Sequence, residues 1–262
     1  MSRIKAFFFD QDGVIIDTER DGHRVAFNRT FKDFGFDVEW DEQYYHELLQ
    51  VGGGKERMRY HLDQVGFGKP VPEDEKDELI KKLHKHKTDL FIEMIESGQL
   101  PLRPGVHRFM KEVNRRGLTL GVCTTSNERA AKAVTQTVLS DIEFDFVLAG
   151  DVVPRKKPDP AIYNLALERS GCKPEQCVVI EDSHIGVTAA KRAGMHVVAT
   201  TNMYTQQEDL SHADVVVTCL GDGDTERGEL ACPVPGLEYD GILTVEQLLD
   251  LFDSKDRDTA HA

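Results

Sequence analysis

Two aspartates directly follow an apolar, strand-like run near the start of the chain. Asp10 and Asp12 are two residues apart, and Gly13 comes next. On extended backbone this spacing sends both carboxylates to the same side, and the carboxyl end of a parallel strand is where ligands bind. Two carboxylates this close repel each other unless a cation is bound or one keeps a proton. The pattern predicts metal-assisted or acid-base chemistry, although a hydrophilic turn would show the same residues.

Three further segments place polar groups at the ends of later apolar runs. Residues 124–127 offer hydroxyls and backbone N–H groups just before a predicted helix, which suits an anion. Lys157 lies in a proline-containing loop, and Glu181 with Asp182 ends another run. Each segment alone has an ordinary interpretation as a helix cap or a surface charge. Their order at separate strand ends predicts one site for a cation and an anion.

The elements that must position these groups alternate along the chain. Short β-branched and aromatic runs are separated by helical patterns, and most runs are continuously apolar, as strands covered on both faces are. The predicted fold class is therefore α/β, a parallel sheet with helices on both faces. The predicted strands are residues 4–10, 118–124, 146–149, 177–181, 195–200 and 213–217.

The long interval between the first two predicted strands contains helical patterns and no strand-like run. We predict that it forms a helical cap domain at residues 18–97, inserted into a core domain of residues 1–17 and 98–262. Asp41 is the expected N-cap of the second cap helix. The cap helices are predicted at residues 21–34, 41–49, 55–65 and 73–96, and later helices at 106–116, 161–170 and 245–252.

Taken together, the motifs resemble those of the haloacid dehalogenase superfamily of phosphotransferases. They are DQDGV, the threonine after LGVC, the lysine of KKPDP and the acidic pair of VVIEDSHIGVTAAKRAG. The resemblance implies a Rossmann-like core with an inserted helical-bundle cap. True dehalogenases of the superfamily lack the second aspartate of the first motif, so the presence of Asp12 implies phosphoryl transfer.

The resemblance also implies a role for each core residue. Asp10 would be the nucleophile, and Asp12 the general acid and base. Mg²⁺ would be held by Asp10, Asp182 and the backbone carbonyl of Asp12, and Glu181 would ligate the ion or support its ligands. Lys157 would help to neutralise the anionic reactants. The groups expected to bind the remaining phosphoryl oxygens belong to Thr124, Thr125, Ser126 and Asn127.

The predicted cap carries a glycine run, Gly52, Gly53 and Gly54, followed by the cations Lys55 and Arg57. Glycines let backbone approach a ligand closely, and the two cations can bind an anion. A flexible loop before an ordinary helix would have the same composition. The GGKER segment is similar to the CbbY branch of the superfamily, which includes phosphatases that act on xylulose-1,5-bisphosphate.

That similarity implies a second anion site in the cap, as a sugar bisphosphate requires. Lys55 and Arg57, with Gly54, are the candidates, and Glu19 and His23 would face the sugar hydroxyls. Just before His23 the chain is one residue longer than the branch pattern, which leaves the orientation of this histidine open. A histidine near a helix start is also commonly a surface or capping residue.

Two other functions are compatible with the same motifs. A mutase resembling β-phosphoglucomutase shares the core, a similar cap and a cationic cap residue, and the sequence does not report how long an aspartyl phosphate would survive. A non-catalytic sugar-phosphate sensor could also use this fold, but such proteins commonly lack a catalytic carboxylate or the lysine. This chain retains all of them, which disfavours a sensor, and the GGKER segment favours hydrolysis over a mutase reaction. We therefore expect a Mg²⁺-dependent sugar phosphatase.

Charge and hydropathy exclude several classes of partner. The 262 residues include 46 acidic and 32 basic side chains, and the basic ones are scattered, which disfavours a nucleic-acid partner. No apolar run approaches the roughly 18 residues of a membrane span, and the first residues do not resemble a secretory signal. We expect a cytoplasmic protein, or a plastid stromal one if the chain is a processed organellar form, that is monomeric or weakly dimeric.

The acidic excess is concentrated near the end of the chain. Residues 201–262 carry 14 acidic and 3 basic side chains, so most of the net charge of −14 lies beyond the last motif. The part with the motifs is nearly balanced, which is compatible with an anionic substrate. The five cysteines form no C-x-x-C pair and are expected to be reduced thiols.

Overall fold

The structure, a computed structural model, describes residues 3–49, 51, 53–223 and 226–259, with side chains as far as Asp253. It divides into two compact units. The core unit comprises Met1–Asp17 and Pro101–Ala262, and the helical unit comprises Thr18–Leu100. Within the described ranges, every helix is too short or too polar to cross a bilayer.

The helical unit begins with a π-helical turn, Thr18–His23, and continues into α-helices. Asp41 caps the second of them, because its side chain accepts a hydrogen bond of 2.7 Å from the N–H of Tyr44. This agrees with the capping pattern in the sequence. The helices are α1 Arg24–Asp33, α2 Glu42–Leu48, α3 Gly54–Gln64 and α4 Lys76–Glu96.

Aromatic rings form the centre of the helical unit. Trp40 is fully buried, and its ring centroid lies 4.7 Å from that of Phe27 and 4.9 Å from that of Phe31. Asn28 fixes the backbone of Trp40 from both sides, since its amide donates to the carbonyl and accepts from the N–H, each at 2.8 Å. The tryptophan thereby joins the loop after α1 to the helix itself.

The core unit contains a six-stranded sheet with all described pairs parallel and with the order β3-β2-β1-β4-β5-β6. The predicted α/β class is confirmed, and each predicted strand is present, β4 with the predicted bounds and the others with slightly narrower ones. The strand nearest the start of the chain lies in the middle, between β2 and β4. The strands are β1 Ala6–Phe9, β2 Thr119–Cys123, β3 Phe146–Leu148, β4 Cys177–Glu181, β5 His196–Thr200 and β6 Val215–Val217.

Strand β1 is apolar throughout because both of its faces are covered. Phe7 and Phe9 pack against Phe109 on one face, with ring centroids 5.4 Å and 6.0 Å apart. Phe8 packs against Phe146 on the other face at 5.5 Å. All three phenylalanines of β1 are fully buried. This two-sided burial explains why the sequence shows a continuous apolar run instead of alternation.

Helices of the core unit connect the strands as a parallel sheet requires. The last of them extends beyond its predicted end at residue 252 to Thr259, because the charged residues that follow continue the helix. The loops after β1, β2 and β4 carry most of the residues whose side chains could take part in catalysis or bind a metal ion. The helices are α5 Val106–Arg115, α6 Glu128–Ala133, α7 Ala161–Ser170, α8 His184–Arg192 and α9 Val245–Thr259.

Candidate active site

Lys157 lies between two buried carboxylates at the ends of β1 and β4. Its Nζ is 2.6 Å from Oδ1 of Asp10 and 2.6 Å from Oε1 of Glu181. It also donates to the carbonyl of Cys123, at the end of β2, at 3.1 Å. Burial disfavours the charged lysine, but the two carboxylates outweigh burial and raise the pKa of Lys157 above its usual value. The ammonium therefore joins three neighbouring strands.

Asp10, Glu181 and Asp182 form a cluster of three buried carboxylates. Each offers one oxygen, and the three oxygens lie within 4.8 Å of one another. Asn202 orients Asp182 by donating a hydrogen bond of 2.7 Å to its Oδ2. Three carboxylates beside one lysine leave an excess of negative charge, and hard oxygen donors suit Mg²⁺. The donor set and its charge thus fit a divalent cation.

The carboxylate cluster resists full ionisation when no cation is present. Burial, followed by the charges of Glu181 and Asp12, raises the pKa of Asp10 to about 7, although Lys157 acts in the opposite direction. Burial also raises the pKa of Asp182 well above its usual value, and the neighbouring carboxylates add to this effect. Either a proton or a cation must therefore compensate the cluster near neutral pH.

Asp12 has a different environment from Asp10. Its Oδ2 accepts hydrogen bonds from Oγ1 of Thr124, at 3.3 Å, and from Oγ of Ser126. The N–H of Ser126 in turn donates to Oγ1 of Thr124 at 3.0 Å. Asp12 is half-buried, and the carboxylate cluster found among the described residues does not include it. The two aspartates of the first motif are thus suited to separate roles.

Two glycines allow the backbone to approach the carboxylates. At Gly13 a Cβ atom would collide with the Asp182 carboxylate and the Asn202 amide, and φ is +79°, which side chains rarely adopt. At Gly186, in the first turn of α8, a Cβ atom would collide with the carboxylate of Glu181. At both positions, which follow the acidic pairs in the sequence, any side chain would therefore collide with a carboxylate.

The other residues of the loop after β2 have local roles as well. Thr125 is exposed, and Thr124 is buried, with its N–H donating to the carbonyl of Leu148 at 2.9 Å. The side chain of Asn127 caps α6 by accepting from the N–H of Arg129 at 2.8 Å. The loop is consequently fixed at both ends, one on β3 and one on α6.

Sequence reasoning missed three residues that hold the site together. Tyr163, on α7, donates a hydrogen bond of 2.6 Å to Oε1 of Glu181, and Asn202 orients Asp182. Arg103 donates to the carbonyl of Gly13. A polar residue just after β5 was a signal that could have identified Asn202. The tyrosine on a helix and the arginine before another helix carry no comparable local signal.

In the helical unit, the predicted binding residues Glu19 and Arg57 lie together around Tyr45. The hydroxyl of Tyr45 donates to Oε2 of Glu19 at 2.5 Å and accepts from Nη1 of Arg57 at 3.2 Å. Arg57 also lies 3.8 Å from Glu19 and donates to the carbonyl of Val51 at 3.0 Å. The arginine is therefore ordered by contacts within its own unit.

Lys55 and Gly54 form the start of α3. Lys55 is exposed, and a Cβ atom at Gly54 would lie only 2.9 Å from the ring of His84. The glycine is thus needed for close packing within the helical unit. Gly52, the first of the three glycines, lies outside the described residues.

His23 contacts Lys87 and Phe91 within the helical unit. Its Nδ1 accepts a hydrogen bond of 2.8 Å from Nζ of Lys87, and its ring centroid lies 3.9 Å from that of Phe91. Burial, followed by the positive charge of Lys87, lowers the pKa of His23 well below its usual value. The imidazole is therefore neutral near pH 7, as its acceptor role requires.

Comparisons with known proteins show which proteins this chain is similar to. A family model for haloacid dehalogenase-like hydrolases matches residues 4–194. A CBBY-like protein of Arabidopsis thaliana is 50% identical over 230 residues, which cover 86% of this chain and 72% of that protein.

Two solved structures are also similar to this chain. One is a CbbY mutant from Rhodobacter sphaeroides in complex with xylulose-1,5-bisphosphate, which is 37% identical with a TM-score of 0.67 over 84% of this chain and 97% of that one. The other is a putative β-phosphoglucomutase from Thermotoga maritima, which is 29% identical with a TM-score of 0.66 over 82% and 94% of the two chains.

We expect Mg²⁺ to compete with a proton at the carboxylate cluster. With the pKa of Asp10 at about 7, the apparent affinity for Mg²⁺ should be about tenfold higher at pH 8 than at pH 6. Because this pKa exceeds the ordinary value of 3.8, the metal-free protein should lose stability as pH rises from about 4 to 7. Calorimetric titration and thermal unfolding measure the two effects.

A pair of variants controls this experiment. Asp182→Asn should abolish the response to Mg²⁺. Asp214→Asn should retain it, because Asp214 pairs with Lys191 at 2.9 Å at the amino end of the strands. An Mg²⁺ affinity that is the same at both pH values would contradict the competition.

Proposed function

We propose that this chain, which belongs to the haloacid dehalogenase-like hydrolase family, hydrolyses a phosphorylated sugar through an aspartyl phosphate on Asp10, with Mg²⁺ as cofactor. The observation that carries the proposal is that Lys157 forms ion pairs with Asp10 and Glu181, whereas Asp12 accepts hydrogen bonds from hydroxyl groups of the β2 loop. Two-step phosphoryl transfer needs a nucleophile next to a cation and a second carboxyl group that can exchange protons.

In the first step, a carboxylate oxygen of Asp10 attacks phosphorus, and the bond between phosphorus and the sugar oxygen breaks. Asp12 donates its proton to that sugar oxygen, so the sugar leaves as a neutral alcohol. In the second step, Asp12 takes a proton from water as the water oxygen attacks phosphorus. The bond from phosphorus to Asp10 then breaks, and inorganic phosphate leaves.

The loop after β2 is proposed to hold the phosphoryl oxygens during both steps. Thr124 and Ser126 carry hydroxyls next to the Asp12 carboxylate, and the N–H groups of Thr125 and Ser126 add donors. Asn127 supports them by capping α6. To bind phosphoryl oxygens, the two hydroxyls exchange their hydrogen bonds to Asp12, and the N–H of Ser126 exchanges its bond to Oγ1 of Thr124.

Mg²⁺ is proposed to be held by Asp10, Asp182 and the backbone carbonyl of Asp12. When bound, it would neutralise charge between the nucleophile and the phosphoryl group. Glu181 already binds Lys157 and Tyr163, and the N–H of Asp182 at 3.1 Å. We therefore propose that Glu181 holds the Mg²⁺ ligands in place and does not itself bind the ion.

A sugar bisphosphate such as xylulose-1,5-bisphosphate is the substrate that we propose. The support is the 37% identical CbbY variant whose structure contains this compound, together with the cations Lys55 and Arg57 of the helical unit. Lys55 is exposed at the start of α3, whereas Arg57 is ordered by Glu19 and Tyr45. We assign the second phosphate to Lys55 and Arg57, and the sugar hydroxyls to Glu19 and His23.

The nucleophile is tested by Asp10→Asn. We expect phosphate release from sugar phosphates to fall by at least ~1,000-fold, and the mass increase of one phosphoryl group, seen when wild type is quenched during turnover, to disappear. Asp214→Asn, which alters another aspartate-lysine pair of the core unit, should keep wild-type kcat. Substantial turnover by Asp10→Asn would contradict the assignment.

The second phosphate is tested by Lys55→Ala. We expect KM for xylulose-1,5-bisphosphate to rise about tenfold, with little change in KM for a sugar monophosphate, because the lost contact is remote from the reacting phosphorus. Lys82→Ala, which removes another exposed lysine of the helical unit, is the matched control. An equal effect on both substrates would contradict the assignment of the second phosphate to Lys55.

A mutase is the second candidate, since the putative β-phosphoglucomutase has a similar fold and 29% identity. The two functions differ in their products. A phosphatase releases inorganic phosphate in proportion to the substrate consumed, whereas a mutase yields an isomeric sugar phosphate. Phosphorus NMR of the reaction mixture distinguishes them, and we expect inorganic phosphate.

A further inference from the structure

The guanidinium of Arg103 gathers backbone carbonyls from three separate segments of the core unit. Its Nη1 donates to the carbonyl of Gly13 and to Oγ1 of Thr200 at 3.1 Å. Its Nη2 donates to the carbonyls of Thr201 at 2.5 Å and Thr218 at 2.8 Å. These carbonyls belong to the turn after β1 and to the ends of β5 and β6. One side chain thus fixes the relative positions of three loops.

Two of these carbonyls are adjacent to residues of the site. Gly13 follows Asp12, and its φ of +79° places it in a turn that few other residues could form. Thr201 precedes Asn202, whose amide donates to Asp182 at 2.7 Å. The backbone of Gly13 also approaches Asp182 and Asn202 so closely that a Cβ atom would collide with both. The separation of Asp12 from Asp182 therefore depends on the two segments that Arg103 joins.

We propose that Arg103 is a positioning residue that sets the geometry of the metal site and of Asp12. This inference rests on the proposed function. Arg103 has a planar fork of five N–H donors, which can reach several fixed carbonyls at once. A lysine would keep the charge but could not span the same acceptors. Partners that orient metal ligands commonly change metal affinity by 10–100-fold when they are removed.

Arg108 offers a matched control five residues further along. Its Nη2 donates to the carbonyls of Leu220, Gly221 and Leu243 at 2.9, 2.9 and 2.8 Å. It therefore also holds loops through several carbonyls, but these belong to the segment before α9 and not to the turn after β1. Replacing the guanidinium group of Arg108 should lower the stability of the protein without a specific effect on the metal site.

The experiment compares Arg103→Lys with Arg108→Lys in the full chain. We expect Arg103→Lys to weaken Mg²⁺ binding, measured by calorimetry, by about tenfold. It should also lower kcat for the sugar bisphosphate by at least about tenfold, with KM changed less than threefold. Arg108→Lys should lower the unfolding temperature but keep Mg²⁺ affinity and kcat within about twofold of wild type.

Equal Mg²⁺ affinities in the two variants would overturn the inference, because Arg103 would then act only on stability. If Arg103→Lys does not fold, Thr200→Val keeps the arginine and removes one of its acceptors, together with a long hydrogen bond of 3.4 Å from Oγ1 of Thr200 to the carbonyl of Glu181. It should weaken Mg²⁺ binding by about threefold, and an unchanged affinity would overturn the inference. If the wild-type protein binds Mg²⁺ but does not hydrolyse sugar phosphates, the proposed function is refuted. The calorimetric comparison of the two variants then still decides the role of Arg103.

Discussion

The burial of several like charges in one small volume is the constraint on which the rest of the structure depends. Asp10, Glu181 and Asp182 are all nearly inaccessible to solvent, and taking carboxylates out of water is costly unless opposite charge and donors replace the water. Lys157 provides the charge, while Tyr163 and Asn202 provide donors. The fold can be understood as the arrangement that brings these groups together.

The order of the strands explains how residues distant in sequence meet. Because β1 lies between β2 and β4, and Phe9 pairs with Val122 and Ile180, Asp10 follows in register with Cys123 on one side and Glu181 on the other. The sheet is parallel, so all these groups lie at one edge, and phenylalanines on both faces of β1 keep that strand in the centre. The same order separates the two aspartates of the first motif, since Asp12 lies towards the hydroxyls of the β2 loop.

The sequence predicted the fold class and each of the strands in the described part of the chain, because these depend on local patterns. Apolar runs mark strands, and acids directly after them mark the edge of the sheet. Residues that act through long-range contacts could not be found in this way. Tyr163 points to Glu181 from a helix, and Arg103 contacts loops about a hundred residues away in sequence.

The helical unit shows the same limit. The family resemblance predicts Glu19, and the cations after the glycine run predict Arg57, but Tyr45, which hydrogen-bonds to both, belongs to α2 and carries no motif. Lys87, the partner of His23, lies in a helix whose charged sequence suggests a solvated face. A charged residue in the middle of such a helix is predicted to be exposed, and only packing against aromatic rings reveals that it is buried.

An ammonium group has three hydrogens to donate, and Lys157 directs all three to protein acceptors: Asp10, Glu181 and the carbonyl of Cys123. Its hydrogen-bonding capacity is therefore saturated before any phosphoryl oxygen arrives. To contact such an oxygen directly, the lysine must exchange one of these bonds. The bond to Cys123, at 3.1 Å, is longer than the two to carboxylates at 2.6 Å and does not involve a charged acceptor, so it is the one whose exchange costs least.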